Sequence, residues 1–402
     1  MSQAQLHESD FVAPAAVDNI RRRSAVVGVV ATVLALAFAF KWPDAFFRGY
    51  LLAFMAWLGV SLGSLGLLFV IHLTNGRWGL VIRRILEAAA RNLWLMAAFF
   101  IPLYFGMSRL YVWARPASSS LEPAAREHLA WLSGAYLNSG FFLLRAVIYF
   151  AIWGILVLLF TRWSREEDHA GNNSHNRSKI LAGPGAVLFA FCVTFAGIDW
   201  VMSLDPMWAS TMYGLIILIG QLLSALCIAV ITASILARYK PMSELLQPGH
   251  LHDYGKFMLT FVMVWAYFSF SQWLIVWSGN LPEEISWYRN RLLGGWQYYS
   301  LFMALFHFVI PFCLLLSAQL KKSARSLVRV AIWLLVMRFA DLYWLIMPTL
   351  SPQKFDFNFF YLLVPVAMGG FWLALFFRNL RTSPLLPLHA PLTQAVLKPA
   401  HD

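Results

Sequence analysis

Charge is what this sequence has least of. Only 12% of its 402 residues are Asp, Glu, Lys or Arg, against about 25% in ordinary globular chains. Folded in water, such a chain would expose far more apolar surface than a soluble protein carries. Cysteine is scarce too: Cys192, Cys227 and Cys313 are the three present. All lie inside apolar runs, and none has a Cys or His neighbour at ligand spacing. There is no C-x-x-C and no C-x-x-C-H, so the sequence encodes neither an iron–sulfur cluster nor a c-type haem. Their isolation also argues against disulfides. His307 is the histidine nearest the middle of an apolar run, and His72 sits at the end of one. A bis-histidine haem needs two histidines at matched depth on facing helices, which argues against a haem b subunit. No metal ligand set is expected.

What is abundant is hydrophobic. Such residues make up 60% of the chain, with 33 Phe and 18 Trp, as expected where aromatic rings anchor at membrane interfaces. A helix needs about 20 mostly apolar residues to cross a bilayer. Ten runs qualify: 24–42, 50–73, 92–113, 139–160, 182–202, 209–236, 256–277, 297–317, 328–347 and 359–377. The expected fold is an all-α polytopic membrane protein. The stretch LVIRRILEAAA (80–90) carries too much charge to span and reads as an amphipathic interfacial helix. A second interfacial helix is expected after Pro282, in SGNLPEEISWYRNRLLGGW (278–296).

The net charge of +12 could suggest nucleic acid, but the basic residues sit in short loops between apolar runs, the pattern that sets membrane orientation. With the N-terminus inside, 21 of the 31 Lys and Arg fall on the cytoplasmic side and eight outside, leaving Arg145 and Arg338 within spans. The expected organisation is a cytoplasmic tail over 1–23, a ten-helix domain over 24–380 and a cytoplasmic tail over 381–402. A weak echo links FAGIDWVMSLDP, ending the fifth span, to RFADLYWLIMPTLSP, ending the ninth. Each brings an acid, Asp199 or Asp341, to the outer end of its helix. It suggests two related four-helix bundles, spans two to five (about 50–202) and six to nine (about 209–347), with the first and tenth helices peripheral.

Ionisable groups inside a membrane are costly unless paired or hydrated, so each is a functional candidate. Arg338 and Asp341 are three apart, on one helix face. They form either a structural ion pair or a pair that relays protons or touches a quinone. Arg145 needs a counter-charge, with Asp199 or Asp341 as partner. Asp205-Pro206 reads as a helix start with the acid as N-cap. His307 is either a proton carrier or a satisfied core residue. Gln221 with Ser224, and Ser269 with Gln272, are i, i+3 polar pairs suited to interhelical hydrogen bonds or to a hydrated path. Tyr267, Phe270, Trp273 and Trp277 form an aromatic stripe, for packing, for an interface or as a wall for a quinone ring, while Trp265 points elsewhere. His72 is a further polar candidate.

The stretches GIDWVMSLDPMWASTMYG (197–214), DYGKFMLTFVMVWAYFSFSQWLIVWSGNLPEEISWYRNR (253–291) and RFADLYWLIMP (338–348) resemble the NrfD/PsrC-type membrane subunits of bacterial alternative complex III, in particular the smaller of the two. The resemblance extends over essentially the whole chain. It implies ten helices around two four-helix bundles in the bacterial inner membrane. It also implies a complex that oxidises membrane quinol (menaquinol or ubiquinol) and passes electrons outward. Partners would be a larger NrfD-like subunit, an extracytoplasmic iron–sulfur subunit and haem c subunits, with surrounding lipids. Within that family the larger subunit is the better-supported quinol site, and the smaller is thought of as a proton-conducting partner. The resemblance makes Asp199, His307, Arg338 and Asp341 candidates. Two other functions fit the chain: a structural or proton-conducting subunit without a quinone site, and an independent secondary transporter. The transporter predicts Gly/Pro-broken helices at mid-membrane in both halves. Gly183-Pro184-Gly185 lies instead at the inner end of a span, and Pro311 in the eighth span has no clear counterpart in the first bundle.

Overall fold

The structure, a computed structural model, describes residues 11, 13–115, 123–170, 173–352 and 354–386. Residues 1–10 and 387–402, most of the expected tails, lie outside them. Among the described residues there is no strand, and ten helical segments are long and apolar enough to cross a membrane. The protein is an all-α, multi-pass membrane protein.

The helices are α1 (Ala16–Ala39), α2 (Pro43–Thr74), α3 (Arg77–Ala90), α4 (Leu93–Phe105), α5 (Met107–Leu110), α6 (Pro123–Ala135), α7 (Ser139–Ala170), α8 (Asn173–Trp200) and α9 (Tyr213–Leu236). Then follow α10 (Met242–Leu245), α11 (Pro248–Gly279), α12 (Pro282–Leu292), α13 (Trp296–Met303), α14 (Ile310–Leu316), α15 (Ala318–Lys322), α16 (Ala324–Leu350) and α17 (Phe360–Leu380). A π-helical turn, Ala304–Val309, joins α13 to α14 in one span. Proline opens α2 and α11, where its missing N–H is harmless. Both end on an asparagine in the left-handed region, Asn75 (φ 48°) and Asn280 (φ 50°).

The packing follows two rings. In one, α2 meets α3 and α4, these meet α7, α7 meets α8, and α8 returns to α2. In the other, α9 meets α11, α11 meets α14, α13 meets α16, and α16 returns to α9. The rings join along α2 and α9. A β-carbon on Gly63 of α2 would stand 1.9 Å from the Gln221 carbonyl oxygen of α9, so only glycine lets the two backbones meet. Helix α17 packs on α2, and α1 lies outside it, against α17.

Three expectations change. The third long apolar segment is α3 and α4 together, Arg77–Phe105, rather than 92–113. Arg91 between the two helices meets Asn379 and Thr382 at the end of α17, so α4 is its membrane-crossing part. Helix α3 is not laid on an interface, because Trp78–Ala90 are all buried. Its arginines are neutralised from inside: Arg83 donates to Glu87 (3.0 Å) and Glu167 (2.7 Å), and Arg84 to Glu87 (3.0 Å) and Asp168. Asp205 caps no helix. It follows a short 3₁₀ turn, Met202–Leu204, and accepts the Met207 N–H (3.3 Å), and α9 starts only at Tyr213. At the N-terminus, α1 already begins at Ala16, so Arg21–Arg23 are helical.

Candidate functional site

Besides the ion-paired knot between α3 and α7, each bundle contains a buried cluster built on one of the predicted acids, and these two clusters differ in kind. In the first, α7 brings Arg145 to Asp199 near the end of α8. Arg145 donates from Nε to Asp199 Oδ2 (2.8 Å) and from Nη2 to Oδ1 (2.9 Å). Its third nitrogen, Nη1, donates to the Tyr136 carbonyl (2.9 Å), and Tyr149 OH donates to Asp199 Oδ2 (2.8 Å). The rings of Tyr136 and Phe141 flank the guanidinium, with centroids 3.8 and 4.5 Å from Cζ. Every nitrogen of Arg145 and both oxygens of Asp199 are thus engaged. Trp153, Trp200 and the Tyr136 hydroxyl nearby have buried polar atoms without a partner. Because the guanidinium and the carboxylate themselves are fully engaged, the Arg145–Asp199 pair is closed.

The second cluster is different. Arg338 contacts Asp341 on the same face of α16, and Trp265 of α11 donates to Asp341 Oδ2 (3.2 Å). The His307 ring lies against Trp265, centroid to centroid 4.2 Å. Neither His307 nitrogen has a hydrogen-bond partner, and the ring meets the Met337 backbone without hydrogen-bond geometry. Asp341 Oδ1 and Arg338 Nε are also unpartnered, as is Gln221 Oε1 on α9 at the seam between the bundles. His307, Arg338, Asp341 and Gln221 are all at most 4% exposed. Buried polar atoms are normally satisfied by protein or by ordered water. The orphans of His307, Arg338 and Asp341, which all gather around Trp265 and α16, mark a place for small polar guests.

The sequence explains why His307 sits there. Pro311 has no N–H to return to the His307 carbonyl four residues back, which loosens the helix into the π turn Ala304–Val309. Trp333 of α16 donates to the Phe306 carbonyl (2.9 Å) and so closes one of the gaps. Gly220 of α9 makes room for the Arg338 head, because a β-carbon there would stand 2.0 Å from Cζ.

The two acids are not at matched positions. Asp199 is the penultimate residue of α8, whereas α16 runs on through Pro348 to Leu350. That places Asp341 about 14 Å of helix rise from its end, deeper than the outer position expected. Their partners differ as well, so the echo between the two stretches does not extend to their pairing.

A family-model comparison finds no match for this chain, and a comparison with curated proteins finds none either.

The remaining candidates have bland surroundings. Gln272 accepts from Ser210 Oγ (3.0 Å) and donates to Tyr288 OH (3.2 Å), fastening α11 to the loop before α9 and to α12. Ser224 bonds back to the Gly220 carbonyl of its own helix (2.9 Å). His72 is buried and stacks on Phe160 at 5.0 Å. The stripe Tyr267, Phe270, Trp273 and Trp277 is exposed on the outside of α11, whereas Trp265, off the stripe, is buried. Among the described residues, no three His, Cys, Asp or Glu side chains gather as a metal site.

Sequence reasoning missed two features. One is the knot of Arg83, Arg84, Glu87, Ser164, Glu167 and Asp168 that ties α3 to α7. The spacing R-R-x-x-E and the run Glu166–Asp168 were the signal, but nothing in the order of residues said that they meet. The other is Arg291 of α12. The helix after Pro282 does close the second bundle: Trp287 stacks on Trp208 (4.6 Å), and the Arg291 head lies 3.2 Å over the Trp287 ring. Arg291 donates to the Leu345 carbonyl (2.8 Å), and burial pulls its pKa down to about 9.

Proposed function

We propose that this chain is a membrane subunit of a quinol:electron-acceptor oxidoreductase similar to alternative complex III, and that its second bundle carries protons. Membership in such a complex rests on the resemblance of 197–214, 253–291 and 338–348 to the smaller NrfD/PsrC-type subunit. The proton role rests on one observation, the unsaturated centre of the second bundle. His307 and Asp341 present unpartnered basic atoms beside the fixed cation of Arg338. Such groups, bridged by water, can accept and pass on a proton. Quinol oxidation yields two protons and two electrons. The electrons would go to neighbouring iron–sulfur and haem subunits, and the protons would need a route of this kind. Quinone contact at the same centre is the weaker reading, because a site sealed to a few per cent exposure suits water better than a quinone ring.

The test is affinity purification of the tagged chain from its native membrane in mild detergent. Haem c and iron–sulfur signals should co-purify, with quinol-dependent reduction of an electron acceptor. In proteoliposomes, Asp341→Asn should cut proton movement per electron at least severalfold while Asp199→Asn leaves that ratio alone. Isolation of the chain with no redox-active partner would refute complex membership. An unchanged ratio in Asp341→Asn would refute the proton role.

A further inference from the structure

Away from both clusters, α4, α7 and α17, with Arg91 from the turn between α3 and α4, enclose a crevice of about 450 Å³ at the arginine-rich end of the first bundle. Three arginines line it, one from each wall: Arg91 between α3 and α4, Arg165 on α7 and Arg378 in the last turn of α17. Among the described residues, none of the three has a carboxylate within ion-pair distance. Their neighbours do: Arg162 is paired with Glu166 (3.0 Å), and Arg83 and Arg84 are paired within the knot. Arg91 is held in place by Thr382 Oγ1 (2.8 Å), and its Nε and Nη2 make no hydrogen bond to a described residue.

The rest of the crevice is apolar. Trp94, Leu158 and Leu375 continue it along the flanks of α4, α7 and α17, on the membrane-crossing part of the helices. Trp94 and Leu158 are about half exposed, at 49% and 52%. Three cations without an ion-pair partner at one end and an open apolar wall beyond them match one chemistry, a phosphate group carrying hydrocarbon chains. Basic pockets between helices at a membrane surface take up acidic lipid head groups in this way, and guanidinium groups bind phosphate through paired N–H donors.

We propose that this crevice is a binding site for an anionic phospholipid, with the phosphate between Arg91, Arg165 and Arg378 and an acyl chain along Trp94, Leu158 and Leu375. The site is separate from the proton-carrying centre and does not depend on it.

The experiment is native mass spectrometry of the full chain in detergent. The protein is titrated with phosphatidylglycerol or phosphatidylcholine, in the presence and absence of millimolar inorganic phosphate. One anionic lipid should be retained in preference to the neutral one, and phosphate should not displace it. Each arginine near a membrane surface contributes on the order of fivefold in affinity. Arg165→Gln/Arg378→Gln should therefore weaken retention about 25-fold. Arg325→Gln/Arg329→Gln, at exposed arginines on α16 outside the crevice, should leave it unchanged. Thermal melts of both variants separate lost binding from lost folding. Equal retention of the neutral lipid, equal loss in the control variant, or no retained lipid would overturn the proposal. So would displacement by phosphate, which would make the site one for a free anion, or a dimer without lipid, which would make it a protein interface.

Discussion

Removing Asp199 should strand a cation. Arg145 is 6% exposed and Asp199 is fully buried. Asp199→Ala deletes two charge-assisted bonds, from Nε and Nη2, and leaves the guanidinium with the Tyr136 carbonyl and two aromatic faces. Coulomb attraction at about 4 Å in an effective dielectric near 20 is about 4 kcal/mol. Measured losses on breaking buried pairs are about 3–5 kcal/mol. The single substitution Arg145→Met should be of similar size, because it strands the carboxylate with only Tyr149 OH. The double substitution Arg145→Met/Asp199→Leu removes both charges and both desolvation penalties, so it should lie within about 2 kcal/mol of wild type. The assay is unfolding in mixed micelles by added sodium dodecyl sulfate, followed by tryptophan fluorescence. Trp153 and Trp200 lie 5.9 and 6.1 Å from the Tyr149 ring and report on this neighbourhood. A double variant as unstable as the sum of the singles would refute the reasoning, as would an Asp199→Ala loss below about 1 kcal/mol.

Three further predictions follow from the same physics. His307→Leu should change stability by less than about 1 kcal/mol, since no protein hydrogen bond is broken, and Asp341→Leu should lose about 3–5 kcal/mol by stranding Arg338. The same micelle titration decides this, and a His307→Leu loss above about 3 kcal/mol would mean the ring is held by a bond. Gly63→Val should destabilise by about 3 kcal/mol or more by forcing α2 from α9, whereas Gly183→Ala, with no atom within 4 Å of a built β-carbon, should be close to neutral; equal effects would contradict the close approach. Burial raises the Asp205 carboxyl above its usual pKa, and the nearby Arg291 only partly offsets that. The folded state therefore holds this proton longer than the unfolded state, and stability falls as pH rises through the unfolded and then the folded pKa. Asp205→Asn should accordingly stabilise the protein at pH 7 and have little effect below about pH 3.9, as read from melts at the two pH values.

Much of the architecture was legible in the order of residues. A bilayer span demands a long apolar run, and such runs are visible without any knowledge of packing. The need of Arg145 for a counter-charge and the shared face of Arg338 and Asp341 were legible for the same reason: burial in hydrocarbon forbids a lone charge, and helical spacing fixes i, i+3 neighbours. Helix α3 was misplaced at an interface because charge was counted along the chain. Arg83 and Arg84 are tolerable in a buried helix because Glu167 and Asp168 arrive from α7, about 80 positions later in the chain.

By itself, then, the sequence determined the class of the protein, its ten long apolar segments and the buried ions that lie inside them, such as Arg145 and Arg338, because these depend on local composition and helical period. Tertiary structure alone decided which ions are quenched and which are left open. Asp199 is saturated because α7 delivers both Arg145 and Tyr149 to it. His307 is unsaturated because the π turn sets its ring against Trp265, where neither nitrogen reaches hydrogen-bond geometry with a neighbour. The arginine-lined crevice, too, exists only once Arg91, Arg165 and Arg378 are brought together from three distant parts of the chain. Saturation is a property of every neighbour within about 3 Å, and no reading along one chain can count neighbours that come from another helix.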